Sequence, residues 1–315
     1  MWLSSIEETG EAWFSLEPLT LLYPYKSVQK KITDAFFPYL EILKRYSEST
    51  KQTIQLLSDE YVQKQPDVIE QNVALLKNAI ELWKTATKVS DAIAPILLHY
   101  SWHCFNSFFV YSIFRWEPRH TKSHGVKIVL SDELKEIEIQ ILETGLFKRL
   151  IDTFTIIGTP LVFSRFLPLI KNEKIEFMPN DNYLPDQNNR IPLKQLLDYD
   201  AVGYEKTMYA SRKDELITCP FLANSIYLPN QLIQAYLILF VASSIARYRP
   251  VLWHSILVGR DEEESTFALK SSQAALDYTL GQHRDLGFVS QVTRILRSVE
   301  EGTFMLKKRN GSQVK

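Results

Sequence analysis

Through most of the chain the apolar residues recur on a helical period. Between Asp67 and Val89, the side chains of Val68, Val73, Leu76, Ile80 and Trp83 fall near one face, and Pro66 suits a first turn, so the pattern predicts a helix there. Ser90 and Asp91 offer caps for a second helix over about 92–115, and the short link makes the two an antiparallel hairpin. Further helical patterns cover about 146–158, 230–248, 250–258, 264–281 and 287–300, with a short helix at "PLKQLLDY" (192–199). An earlier one, "KSVQKKITDAFFPYLEIL" (26–43), should kink or split at Pro38.

The period changes after Trp116. "VKIVL" (126–130) and "EIEIQIL" (136–142) follow a polar loop, and the second alternates strictly between Glu or Gln and Ile. Period two over that length predicts a half-buried strand, hence a small β-hairpin insertion over about 126–142. From 159 to 229 the prolines Pro160, Pro168, Pro179, Pro185, Pro192, Pro220 and Pro229 point to an irregular region, with one strand at "KIEFM" (174–178). The expected architecture is mainly α: a single helical domain over 1–305 carrying the hairpin insertion, and a disordered basic tail at 306–315.

Composition narrows the class. The 315 residues are 45% hydrophobic and 23% charged, the profile of a soluble globular protein. Lys plus Arg number 36 against 37 Asp plus Glu, so no global field advertises nucleic acid or an acidic membrane. Two cysteines, Cys104 and Cys219, are too few for a disulfide framework or a thiolate zinc site, which places the chain in a reducing cytoplasm. Glu7, Glu8 and Glu11 stand where a signal peptide needs a basic end and an apolar run. The apolar segments 95–114 and 232–246 are read as core helices rather than membrane spans: the first contains His99, His103 and Asn106, and the second is too short.

The candidate chemistry gathers at "ARYRPVLWH" (246–254). Pro250 should break the long helix near Arg249 and open a new one, leaving Arg247 and Arg249 at a corner. Two guanidiniums beside free helix-start amides suit phosphate or carboxylate, and the loop residues Arg119, His120, Lys122 and His124 are candidates to join them. The competing reading is plain helix-end electrostatics, with arginines facing the negative end of the dipole. His99 and His103, like His120 and His124, are four apart and invite a metal. No acidic ligands accompany them, so hydrogen bonding in the core is the expectation, and no metal or cofactor is assigned. "GRDEEES" (259–265) reads as a solvated helix cap and Cys219 as a buried, inert thiol. No Gly-rich phosphate loop, Gly-x-Ser-x-Gly elbow or Cys-x-x-Cys is found.

Taken in order, "APILLHYSWHCFNSFFVYSIF", "SHGVKI", the Gly-Leu-Phe at 145–147 and "ARYRPVLWHSIL" resemble the YaaC-like bacterial family over most of the chain. That resemblance implies a mostly helical soluble protein and no particular reaction. His99 and His103 depart from it, standing where the family more often carries aromatic or small residues. A second resemblance is to HEPN domains, helical bundles that are often dimeric and in many members cut RNA without metal through an Arg-x(4–6)-His motif. Arg249 and His254 fit that spacing, and so do Arg247 and His254, although Pro250 stands where a polar residue is usual. This resemblance implies a HEPN-like bundle and a homodimer. Its imidazole would move the proton of a ribose 2′-hydroxyl while guanidinium steadies the phosphorane charge.

Three expectations follow. The leading one is an intracellular non-catalytic binding or regulatory protein that holds an anionic ligand (nucleotide or RNA) or a protein partner at Arg247, Arg249, Arg119, His120, Lys122 and His124. The second is a metal-independent ribonuclease with Arg249 and His254 as catalytic pair. The third is a metal enzyme built on the histidine pairs.

Overall fold

The computed structural model describes residues 67–114, 123–157, 162–171, 174–199 and 228–279. The helices read at 26–43 and 287–300 and the basic tail lie outside these residues, as do Arg119, His120, Lys122 and Cys219.

Seven helices stand among the described residues. α1 (Asp67–Ala86) and α2 (Ala94–Phe114) form the expected hairpin, its turn closed by the Ser90 carbonyl, which accepts from Ile93 and Ala94. Inside the pair, the Ser101 hydroxyl donates to the Ala79 carbonyl at 2.8 Å. α1 buries Leu76, Ala79, Ile80 and Trp83 on one face, the stripe of an amphipathic helix. α2 instead buries Leu98, Trp102, Phe105, Phe108, Phe109 and Val110, being apolar around much of its girth, as a central helix must be.

α5 (Leu228–Tyr248) is the other central helix. By length and composition it could cross a bilayer, with mean hydropathy 1.2 over Asn230–Tyr248, yet 83% of that window is buried within the protein. Its Tyr236 packs edge-on against Trp102 of α2 and stacks on Phe147 of α3 (Leu146–Ile157), with ring centroids 5.9 and 5.8 Å apart.

The helix breaks as Pro250 requires. Arg249 leaves helical geometry (φ −136°, ψ 60°), and α6 (Pro250–Val258) starts with proline in its first turn. Arg249 bridges both helices, donating its amide to Ile245 and accepting from Trp253. α7 (Glu262–Thr279) opens with a reciprocal cap. The Asp261 carboxylate accepts from the Glu264 amide at 2.8 Å, and the Glu264 carboxylate accepts from the Arg260 amide at 3.1 Å. "GRDEEES" is thus a helix cap, as its pattern suggested.

The predicted hairpin is present and extended. β1 (Val126–Val129) and β2 (Glu138–Ile141) pair antiparallel, with Ile128 opposite Ile139. A third strand, β5 (Arg190–Pro192), adds antiparallel to β2 and is tied by an Arg190–Glu138 ion pair of 3.0 Å. It leads directly into α4 (Leu193–Asp198), the short helix read at 192–199. Within the Pro-rich region, β4 (Lys174–Pro179) covers the strand predicted at "KIEFM" and pairs with β3 (Phe166–Lys171), a strand in a stretch where the prolines, Pro168 among them, predict irregular chain.

One close approach fixes the hairpin against α3. Gly125 (φ +75°) and Gly145 (φ +101°) touch back to back, so that a Cβ on Gly145 would lie 2.6 Å from the Gly125 backbone. Around them the carbonyls of Ser123 and His124 accept from the amides of Leu146 and Phe147, at 2.9 and 3.0 Å. Backbone carbonyls of the loop therefore satisfy amides that the start of a helix leaves open. Gly145→Ala should destabilise the protein by about 3 kcal/mol or more, because the positive φ and the blocked Cβ both oppose it. Urea denaturation checks this, and a stability equal to the wild type would show that the contact is dispensable.

Candidate functional site

Three histidines meet where α2, the 123–125 loop and α5 come together. His99 and His103 are one turn apart on α2 and so share a face. His124 is delivered to that face by the glycine contact. Its Nδ1 lies 3.3 Å from His99 Nε2 and 3.2 Å from His103 Nδ1. Phe240 and Tyr236 of α5 back the cluster, with ring centroids 5.3 and 5.6 Å from His99.

Arg247, in the last turn of α5, completes the group. It donates to the Tyr100 hydroxyl at 2.9 Å, and its guanidinium carbon lies 5.6 Å from the Tyr100 ring and 4.9 Å from the Tyr248 ring. Its Nε is buried without a hydrogen-bond partner. Among the described residues, no carboxylate pairs with Arg247.

The electrostatics follow from this placement. His99 is fully buried, and its pKa falls well below the ordinary 6.5 through desolvation first, then the neighbouring His124, His103 and Arg247. His103 is pushed down to about 3, again chiefly by burial and then by His124. His124 is lowered by burial and then by the Arg247 charge. Burial likewise raises the Tyr236 hydroxyl, and it pushes the Cys104 thiol up to about 11, leaving that thiol inert near neutrality. The site at neutral pH is a cluster of uncharged imidazoles beside one fixed cation.

Both ring contacts share one atom, His124 Nδ1, which has either one proton or one in-plane lone pair to offer two neighbours. Among the described residues, no group of three or more His, Cys, Asp or Glu is arranged to hold a metal ion. A separate cavity of about 520 Å³ beside α4, lined by Leu184, Pro192, Lys194, Gln195, Asp198 and Tyr199, contains none of the candidates read from the sequence.

The structure sorts those candidates. Arg247 and His124 meet at Tyr100, whose hydroxyl accepts from Arg247 and whose ring lies 6.0 Å from that of His124, across a sequence separation that no local pattern could reveal. Arg249 is engaged elsewhere: its Nε pairs with Asp132 at 3.0 Å and its Nη1 donates to the Tyr248 carbonyl at 3.1 Å. His254 is exposed on α6, and among the described residues no hydrogen bond or ring contact joins it to Arg249. Tyr100, which holds Arg247, carried no sequence signal beyond its place between His99 and His103.

Comparison with known families decides one point. A family model, YaaC-like Protein, matches residues 160–278. Over that segment, somewhat more than a third of its length, the chain is similar to that family. The matched segment includes α5, α6 and nearly all of α7, and hence Arg247, Arg249 and His254, whereas His99, Tyr100, His103 and His124 precede it. The likeness to HEPN domains is not shown. No curated protein and no solved structure matches the chain.

The buried imidazoles make stability depend on pH. Groups whose folded pKa is depressed stabilise the fold fully above the unfolded value of 6.5, and that contribution is lost as pH falls through the window below it. Between about pH 6.5 and about pH 5, above most carboxylate titration, the unfolding free energy should fall by up to about 1.4 kcal/mol per unit for each imidazole kept neutral. Urea unfolding across that window measures the slope. A flat profile would mean that the rings are not held neutral.

Proposed function

We propose that this chain is an intracellular, non-catalytic binding protein that holds an anionic ligand at Arg247. The observation carrying this reading is the state of the guanidinium itself. It is fixed by the Tyr100 hydroxyl and flanked by two tyrosine rings, it keeps a buried Nε without a partner, and no carboxylate among the described residues neutralises it. A half-buried, uncompensated cation is costly to maintain, and an anion supplies the missing charge and acceptors. The uncharged His124 beside it adds a polar group without competing charge. Arg249, already paired with Asp132, contributes less.

Phosphate, nucleotides and RNA titrated against the wild type, Arg247→Ala and Arg249→Ala test the reading, with helicity compared by circular dichroism. Arg247→Ala should weaken the bound anion roughly tenfold or more, the worth of a charge-assisted hydrogen bond, and Arg249→Ala by about twofold at most. Equal binding by wild type and a normally folded Arg247→Ala protein would reduce Arg247 to a helix-end residue. Cleavage of the RNA during the titration would replace the binding reading with a nuclease.

A further inference from the structure

We infer that the Arg247 site takes up a doubly charged tetrahedral oxyanion together with one proton, and that His124 is the residue that accepts the proton. The inference rests on the anion-binding reading and specifies the class of ligand and its coupling.

The argument begins with the conflict at His124. In one neutral tautomer Nδ1 carries the hydrogen and can share it between His99 Nε2 and His103 Nδ1, but Nε2 then has only a lone pair and cannot donate to an oxyanion. In the other, Nε2–H can donate to a ligand, but the single lone pair of Nδ1 must serve two donors. Neither neutral form uses all three directions. The cation does: Nδ1–H is shared by the lone pairs of His99 and His103, and Nε2–H is left for the ligand. Among the described residues His124 Nε2 makes no hydrogen bond, and His124 is partly exposed, unlike His99.

The neighbours explain why that cation is absent until a ligand arrives. Facing His124 are His99, Tyr100 and His103 from α2, and Phe240 and Arg247 from α5, with Tyr236 behind His99. From α3 only the Phe147 amide engages it, through the His124 carbonyl. No carboxylate pairs with it among the described residues, and after burial the Arg247 charge is what lowers its pKa. A monoanion would neutralise Arg247 and no more. A dianion leaves one negative charge over, and this turns the local field from repelling a proton to attracting one. The proton comes from solvent, Nε2–H donates to the oxyanion, and the charges of Arg247, His124 and ligand sum to zero.

Sulfate tests this cleanly, because it stays doubly charged throughout the neutral range and any proton taken up belongs to the protein. Isothermal titration of the full chain at neutral pH in Tris and in HEPES, whose ionisation heats differ, gives the proton count directly. The wild type should take up about half a proton or more per sulfate, and bind it roughly tenfold more tightly at about pH 6 than at about pH 8. His124→Gln should bind sulfate with no proton uptake and no pH dependence. Sulfate bound by wild type without proton uptake would overturn the inference and leave the anion site standing. Proton uptake that persists in His124→Gln would overturn the assignment to His124. Failure of wild type to bind sulfate would also overturn the inference, and failure with phosphate, nucleotides and RNA as well would remove the anion site itself.

Discussion

The candidate site depends on how closely the backbone at Gly125 approaches that at Gly145. No side chain fits between them, and the two positive φ angles would strain any residue that carried one. That contact lets the carbonyls of Ser123 and His124 reach the amides of Leu146 and Phe147, so the loop becomes the cap of α3. Phe147 then stacks on Tyr236, which lies beside His99. A short path of rigid contacts runs from two glycines to the histidine cluster. His124 is held by backbone geometry more than by its own side chain.

Burial and charge act in opposite directions at the cluster, and burial prevails. Three imidazoles within hydrogen-bonding distance would repel one another if protonated, and desolvation already disfavours each charged form. Arg247 remains charged under any cellular condition, so the site has one permanent cation surrounded by groups that decline to become cations. The contrast with Arg249 is instructive. Two residues away, at the same helix break, that side chain has a carboxylate within 3.0 Å and needs nothing further. The same residue type thus ends up in two electrostatic conditions, decided by whether a surface acid happens to lie across from it.

Much of the fold was legible in the sequence because its signals are local. Pro250 broke the helix where its missing amide demanded, the acids of "GRDEEES" capped α7, and the Ile alternation marked β2. β5 has no sequence signature because three residues ending in a proline carry no period, and in β3 Pro168 reads against a strand. The site was half legible. Arg247 stood out as a cation at a helix break, and His124 as a polar member of a loop, but helical spacing paired His99 with His103 and His120 with His124. The structure joins the first pair to His124, a grouping across α2 and a loop that depends on tertiary contacts. His120, Arg119 and Lys122 fall outside the described residues.

The most direct test of this account is nitrogen-15 spectroscopy of the histidine rings. In protein free of multivalent anions, His99 and His103 should remain neutral at about pH 6 and His124 should titrate below the ordinary 6.5, with scalar coupling across the hydrogen bonds linking His124 Nδ1 to its two neighbours. Titration of these three rings near the ordinary 6.5, with no coupling between them, would contradict the convergence on which the candidate site is built.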